Sequence, residues 1–172
     1  MCCTMDIYVL HETLGFILIS LGFYAISHKD DRHFTKMTTA LALLWAINFL
    51  IIGAFTASAM AFLVVVRNLA SLKRRGCLYT SAFFVVITVV VGFLTYSDIK
   101  DVFPILAAIL GTVAYFHLSG IKMRMTFAGA SSFWVIHNVI AGSISSTISE
   151  SIGGCLHLIT SYRLRSKKVV DK

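Results

Sequence analysis

Residues 134–150, WVIHNVIAGSISSTISE, place His137, Asn138 and Glu150 inside an otherwise apolar stretch, with Gly142 and four serines between them. An ionisable side chain within a membrane-embedded segment is costly, so each one is a candidate functional residue. Lipid offers such groups no hydrogen-bond partner. The stretch therefore predicts a helical membrane protein whose polar groups face one another.

The composition of the whole chain supports that prediction. Of its 172 residues 58% are hydrophobic and 13% are charged, whereas soluble domains carry roughly 25% charge. Apolar runs such as residues 83–95 are typical of segments that cross lipid. Backbone polar groups in lipid must be satisfied internally, so the spans are predicted to be helices. The fold class is an all-α membrane protein in a single domain, residues 1–172.

Seven apolar segments are each about long enough to cross a hydrocarbon core of ~30 Å. Polar loops at residues 28–36, 73–76 and 122–124 separate some of them, and a charged tail follows at residues 166–172. Placing the N-terminus outside leaves Lys100 alone among the 15 lysines and arginines at the outward ends. This basic bias predicts an N-out, C-in topology. The predicted spans are residues 7–27, 37–53, 56–72, 78–95, 102–120, 126–143 and 145–164.

A shift of 89 residues aligns the two halves of the chain without a gap. Leu21-Gly22 falls on Leu110-Gly111, Ala25 on Ala114, Trp45 on Trp134, Ile47 on Ile136, Gly53 on Gly142 and Arg74 on Arg163. An ordered set of matches across three helices indicates an internal repeat. We predict two parallel three-helix repeats, residues 7–75 and 102–165, joined by the linker helix 78–95 in a 3+1+3 arrangement.

Three sequence segments and a duplicated W-x7-G pattern carry a resemblance to a known family. The segments are RNLASLKRR (67–75), GTVAYFHLSGIKMRM (111–125) and SSFWVIHNVIAGSISSTISE (131–150). Together they resemble the YgjV-type bacterial inner membrane proteins, which implies an inner-membrane location and no established activity. The 3+1+3 plan more distantly resembles SWEET and other PQ-loop-type transporters, although this chain lacks their Pro-Gln or Pro-Asn pairs.

Polar and aromatic side chains recur at three- and four-residue spacing on several predicted helices, so they share helix faces. Aromatic rings could stack on a small polar solute while amides and imidazoles bind its polar atoms. The alternative is that these residues hold the helices together, as small and polar residues commonly do in membranes. The candidate solute-binding residues are Trp45, Asn48, Asn68, Trp134, His137, Asn138 and His157.

Glu150 is the one acidic residue well inside the second half of the chain. We predict either a proton-coupling group or a hydrogen-bonding anchor to His157 or Asn138, and the alternative is a protonated structural acid. Four arginines are predicted as inward basic anchors, and the first of them can extend its charged end toward the membrane surface. They are Arg67, Arg74, Arg124 and Arg163.

The function predicted from these patterns is transport of a small polar solute, with the lipid bilayer and that solute as partners. Trp45, Asn48, Trp134 and Asn138 are expected to line a cavity of about 300 Å³ or more. The alternative function is a non-transporting scaffold or accessory subunit. The chain contains no nucleophile elbow, HExxH motif or glycine-rich phosphate loop, so an enzyme is not expected. No cofactor, metal or nucleic-acid partner is predicted.

Overall fold

The computed structural model describes residues 2–27 and 30–170, and side chains within 7–26 and 30–166. In these residues the secondary structure consists of seven α-helices and a short 3-10 helix, Ile99–Asp101, before the fifth. The class is therefore all-α, as predicted. The α-helices are α1 (Cys2–Ser27), α2 (Asp31–Ile51), α3 (Phe55–Lys73), α4 (Leu78–Thr95), α5 (Val102–His117), α6 (Gly120–Ala141) and α7 (Ile144–Val170).

Five segments are long and apolar enough to cross a membrane, judged by length and composition over the described residues. They cover most of the first half and the start of the second. The α6 and α7 helices are not among them: α6 begins with the basic sequence GIKMRM, and α7 carries serines, a glutamate and a basic end. The five segments are Ile7–Ile26, Asp31–Ile51, Phe55–Lys73, Leu78–Thr95 and Ile99–His117.

The α2 helix begins earlier than predicted, because a polar cap starts it. The Asp30 carboxylate accepts hydrogen bonds from the amides of Arg32 at 3.0 Å and His33 at 3.2 Å. These bonds satisfy otherwise unpaired helix amides and hold the pKa of the Asp30 carboxyl below its usual range. The predicted loop 28–36 is therefore shorter, since hydropathy locates the apolar part of a helix and not its cap.

The last helix is also longer than predicted. The α7 helix continues to Val170, into the stretch predicted as a charged cytoplasmic tail; residues 171–172 lie outside the described residues. Residues 165–170 contain no glycine or proline. Arginine and lysine are good helix formers, and their charge is favourable at a helix C-terminus.

Two glycines end helices in the same way. Gly53 and Gly142 have φ of 71° and 74°, the left-handed region that glycine adopts at little cost. The Gly53 amide donates to the carbonyl of Leu50, and the Ala54 amide to that of Phe49. Corresponding bonds, displaced by 89 residues, run from Gly142 to Val139 and from Ser143 to Asn138. The same tight turn therefore joins α2 to α3 and α6 to α7.

Each helix packs against the next along the chain, α7 packs against α1, and α3 also packs against α5. The chain runs back and forth, which gives the bundle two ends. We name the end that holds Gly53 and Gly142 the glycine end, and the end that holds Asp31, Arg75 and Arg124 the basic end. Small residues allow close helix contact, and those with no exposed surface include Ala25, Ala46, Ala57 and Ala114.

Candidate functional site

A cavity of about 200 Å³ lies within the bundle. Residues of α1, α2, α3, α5, α6 and α7 line it, and α4 contributes none of the described residues. Its volume is smaller than the ~300 Å³ expected for a ligand pocket. Five of the seven candidate solute-binding residues line it, together with Glu150: Trp45, Asn68, Trp134, Asn138 and His157.

A row of three aromatic rings forms one wall of the cavity. The buried ring of Phe49 lies nearly parallel to that of Trp134, with centroids 5.8 Å apart and an interplanar angle of 9°. The Phe49 centroid is also 5.9 Å from that of Trp45. The two tryptophans are therefore parts of one surface. Phe49 was not predicted, although it stands four residues after Trp45, on the same face of α2.

Equivalent positions of α2 and α6 take the same role in this wall. Trp45 and Phe49 line the cavity from α2, and Trp134 and Asn138 line it from α6. Each pair is four residues apart. The intervening candidates Asn48 and His137, each three residues after a tryptophan, do not line it. The choice between three- and four-residue spacing depends on how each helix is rotated about its axis, which the sequence pattern left open.

Asn48 and His137 lie behind the wall, toward the glycine end. The Asn48 side chain is buried, and its backbone carbonyl lies 3.3 Å from Nδ1 of His11. The His137 ring packs edge-on against that of Trp134, and its Nδ1 lies 3.0 Å from the carbonyl of Lys100. Neither residue lines the cavity, and their role in solute binding stays a prediction.

Arg67 enters the cavity wall from α3 and is only 4% exposed. Its Nη1 donates to the Ala108 carbonyl at 2.8 Å and to Oγ1 of Thr112 at 3.4 Å. Its Nε and Nη2 both donate to Oδ1 of Asn68, at 3.3 and 3.1 Å. The guanidinium also lies 5.0 Å from the ring centroid of Tyr115. The side chain therefore crosses to α5, which does not match the prediction of an anchor at the inward surface.

Several buried polar atoms of the lining have no hydrogen-bond partner among the described residues. They are Nδ2 of Asn68, Oδ1 and Nδ2 of Asn138, and Nδ1 of His157. Buried polar groups in proteins are nearly always hydrogen-bonded, and leaving one unsatisfied costs about 1–3 kcal/mol. A polar solute in the cavity would offer these groups partners.

Glu150 reaches the cavity from α7 and pairs with a neighbouring helix. The Ser131 hydroxyl of α6 donates a hydrogen bond to the Glu150 carboxyl, and both residues line the cavity. The predicted partners were His157 and Asn138. The structure shows Ser131 instead, because the 131 and 150 positions meet where α6 and α7 pack against each other.

His157 lies in an aromatic cluster at the part of the cavity nearest the basic end. Its ring is stacked on Phe127, with centroids 5.4 Å apart, and meets Phe34 edge-on at 5.7 Å. The Tyr115 ring contacts Phe127 at 4.8 Å. The guanidinium of Arg124 covers the other side of this cluster, 3.9 Å from the Phe34 centroid. Packing is thus the main role that the contacts give His157.

A carboxylate organises the basic end. Asp31 accepts a hydrogen bond from the Gly120 amide at 3.3 Å and lies 3.5 Å from Nη2 of Arg124 and 3.7 Å from Nη2 of Arg75. Arg75 in turn donates to the Leu118 carbonyl at 2.6 Å. Asp31 and Arg75 were not predicted as site residues. Arg124 is fully buried here, whereas the predicted anchors Arg74 and Arg163 are exposed.

A second carboxylate closes the glycine end. Glu12 accepts hydrogen bonds from the amides of Ile144 at 3.0 Å and Ser145 at 2.7 Å. It therefore caps the N-terminus of α7 from α1, where a negative charge is favourable. Beside it, Nε2 of His11 lies 2.8 Å from Oγ of Ser143. These contacts tie the first helix to the turn at Gly142.

The helical bundle, its five candidate spans and its polar interior define a multi-pass α-helical membrane protein. A profile of the Imp-YgjV family, described as bacterial inner membrane protein, matches residues 9–168. The chain belongs to this family, and it is a protein of the bacterial inner membrane. It is similar to the inner membrane protein YgjV of Escherichia coli strain K12, with 29% identity over 168 residues that cover 96% of this chain and 91% of that protein. No solved structure matches the chain.

Proposed function

We propose that the protein carries a small polar solute across the inner membrane and that the cavity is its binding site. The observation that carries the proposal is the lining itself. A buried cation, Arg67, an acid, Glu150, and the unpartnered amide of Asn138 all meet one cavity inside an apolar bundle. Polar and ionisable groups within a membrane are costly and mark solute pathways. The proposal includes no chemical reaction, so the protein acts as a carrier and not as an enzyme.

The proposed topology has seven spans, with the N-terminus outside and the C-terminus inside. The α6 and α7 helices have 22 and 27 residues, which at about 1.5 Å per residue is enough to cross a ~30 Å hydrocarbon core. The basic end then faces the cytoplasm, as the positive-inside rule favours. A C-terminal fluorescent protein should fold and fluoresce in the cytoplasm, whereas C-terminal alkaline phosphatase should be inactive; active phosphatase would contradict this orientation.

The proposed architecture has two parallel three-helix units joined by α4. The starts of α2 and α6, and of α3 and α7, are 89 residues apart. The glycine turns and the wall positions of Trp45 and Trp134 follow the same shift. Carriers built from such repeats place their solute site at the repeat interface. The lining supports this arrangement, since it draws on all helices of both units and on none of the described residues of α4.

Contacts at the two ends are compatible with alternating access. Asp31 joins α2 to α6 and to Arg75 at the basic end. Glu12 joins α1 to α7 at the glycine end. Each group includes polar interactions between residues of different repeats. We infer that the solute reaches the cavity when one of these groups separates while the other remains closed.

Uptake into proteoliposomes containing the purified full chain tests the proposal, with a panel of labelled small polar solutes. The decisive variant is Asn138→Leu, which removes the unpartnered amide at nearly constant size and should not destabilise the protein. We expect uptake to be at least about ten-fold slower, because the solute loses one good hydrogen bond. The matched control is Val139→Leu, because Val139 is 60% exposed and does not line the cavity.

A non-transporting scaffold or accessory subunit is the second candidate, and the small volume of the cavity favours it. If the protein is a scaffold, we expect that no solute crosses the membrane through it and that Asn138→Leu does not change the uptake of any solute. Equal rates for liposomes with and without the protein, across the whole panel, would overturn the transport proposal. Copurification of a stoichiometric partner protein from the native membrane would then support the scaffold function.

A further inference from the structure

We propose that the solute is a small carboxylate, bound by the guanidinium of Arg67. This inference rests on the proposed transport function and names the class of its substrate. It follows from the charges that line the cavity, from the hydrogen bonds that Arg67 has and lacks, and from the size of the space beside it.

The charge of Arg67 is not balanced by a nearby acid. Among the described residues no carboxylate lies within 4.0 Å of its guanidinium. Among the described residues of the lining, Glu150 is the one acid, and its hydrogen bond goes to Ser131. A buried charge is costly unless it is paired as well as hydrogen-bonded. An anionic solute would supply the missing partner within the cavity.

The hydrogen bonds of Arg67 leave donors for an anion. The guanidinium has five N–H donors, and four hydrogen bonds are made to Asn68, Ala108 and Thr112. One Nη2 hydrogen therefore remains. Nδ2 of Asn68 lies near the Tyr115 hydroxyl and makes no further hydrogen bond to the described residues. Both residues line the cavity, and N–H donors of a guanidinium and an amide bind the oxygens of a carboxylate.

The contact with Asn68 already imitates such an anion. Oδ1 of Asn68 accepts from both Nε and Nη2, which form the edge of the guanidinium that commonly binds a carboxylate with two parallel hydrogen bonds. A neutral amide oxygen occupies that position here. Asn68 therefore fills this edge without balancing the charge of Arg67, and the remaining Nη2 hydrogen is the one left for an anion.

Gly111 has no side chain and so leaves space for the guanidinium of Arg67. A Cβ atom at Gly111 would lie 2.8 Å from Nη1 and 3.2 Å from Nη2 of Arg67. Gly111 lines the same cavity. The cavity of about 200 Å³ is below the usual ~300 Å³ of a ligand pocket, so it suits a small solute. The row of Trp45, Phe49 and Trp134 would contact its apolar part.

Matched pairs of solutes test the charge directly. The probes are L-lactate with L-lactamide, L-alanine with L-alaninamide, and glycerol. Binding to the solubilised full chain is followed by tryptophan fluorescence, because the two tryptophans of the protein both line the cavity. Flux is measured in proteoliposomes. We expect each carboxylate to bind at least about ten-fold more tightly than its amide, because the amide cannot form the charge-assisted hydrogen bond.

Comparing L-alanine with L-lactate shows whether the bound carboxylate belongs to an amino acid or to a hydroxy acid. L-Alanine adds an ammonium group that Glu150 could bind, whereas L-lactate adds a hydroxyl. Preference for alanine that disappears in Glu150→Gln would identify an amino acid as the solute. Equal or better binding of lactate would identify a hydroxy acid. Both results support a carboxylate on Arg67.

The variant Asn68→Asp separates solute binding from a structural role of Arg67. It places a carboxylate on the guanidinium with almost no change of shape, so the fold should be retained or stabilised. We expect at least about ten-fold weaker binding of L-lactate and L-alanine, because the charge of Arg67 is then neutralised internally. If Arg67 only anchors α3 to α5, Asn68→Asp will bind both acids as the wild type does. Arg67→Gln should also lose binding, and Arg74→Gln, at an exposed arginine, should not.

The possible outcomes separate the inference from the proposed function. Amides and glycerol that cross as fast as the acids would overturn the carboxylate inference and leave transport standing. Acids that bind in the cavity without crossing would uphold the inference and overturn transport. If no probe binds and no probe crosses the membrane, both the carboxylate inference and the transport proposal are overturned.

Discussion

The amide of Gly120 donates a hydrogen bond to Oδ2 of Asp31 across 3.3 Å. These residues are the first of α6 and α2, and 89 positions separate them. The two helices that carry the tryptophans are therefore joined at their first residues, at the basic end. Because Asp31 also faces Arg75 and Arg124, one carboxylate holds together the ends of both halves of the chain.

Replacing Asp31 should loosen the basic end. In Asp31→Asn the buried Arg124 loses its carboxylate partner, and we expect the free energy of unfolding to fall by about 1–3 kcal/mol. Denaturation in SDS, followed by tryptophan fluorescence, measures this change. The control is Asp98→Asn, since Asp98 pairs with Lys100 on the surface and such pairs contribute about 0–1 kcal/mol. Equal effects of both variants would contradict the role assigned to Asp31.

Alanine at the two glycine turns should destabilise the protein by similar amounts. Gly53 and Gly142 have nearly the same positive φ, and a Cβ would meet no atom within 4 Å at either position. The cost is therefore backbone strain alone, about 1–2 kcal/mol for each of Gly53→Ala and Gly142→Ala. The same SDS titration measures both.

Gly129→Ala is the control for those two variants. Gly129 lies within α6 with open space around it, so alanine should stabilise the helix by about 0.5–1 kcal/mol. A large difference between Gly53→Ala and Gly142→Ala would argue against equivalent turns in the two halves.

Adding a methyl group at Gly111 should disturb Arg67 without removing it. The new Cβ would lie 2.8 Å from Nη1, so the guanidinium of the Gly111→Ala variant must shift from the Ala108 carbonyl. We expect the apparent affinity for a carboxylate solute to fall about ten-fold, with less effect on the maximal rate of flux. Gly129→Ala again serves as the matched control. An unchanged affinity would show that the position of the guanidinium is not important for binding.

Glu150→Gln tests whether Glu150 couples transport to protons. Glutamine keeps the hydrogen bond with Ser131 but cannot exchange a proton, so a coupled carrier should lose uptake driven by a pH gradient. Exchange of solute at equal pH should continue. Flux in proteoliposomes with and without an imposed gradient measures both. If rate and pH response are unchanged, Glu150 is a structural acid.

The extent of the helices was largely predictable. The α4 bounds, Leu78–Thr95, are those predicted, because a purely apolar stretch between two polar turns has no other way to satisfy its backbone in lipid. The starts of α2 and α6 were predicted too late. At those starts local capping and polar residues continue the helix beyond the apolar stretch, as at Asp30.

The site was predictable only in part, and Arg67 and Phe49 show why. Spacing placed Trp45, Asn48 and Asn68 on candidate faces, yet Phe49 lines the cavity and Asn48 does not. Arg67 is close in sequence to the basic cluster at residues 73–75, which is why an anchor was predicted. Its side chain contacts Ala108 instead because α5 packs against α3.

The sequence by itself determined an all-α membrane protein, its helical segments and its glycine turns, because hydropathy, helix propensity and the left-handed turn depend on residues close together in the chain. The tertiary structure decided that Asp31 meets Gly120 and Arg124, that Ser131 meets Glu150, and that Arg67 lies in a cavity wall where no carboxylate of the described residues is within 4.0 Å of its guanidinium. Those pairings depend on the rotation of each helix about its axis and on its neighbours. Packing across the whole bundle sets both, and it joins residues as far apart in the chain as Asp31 and Arg124, which 93 positions separate.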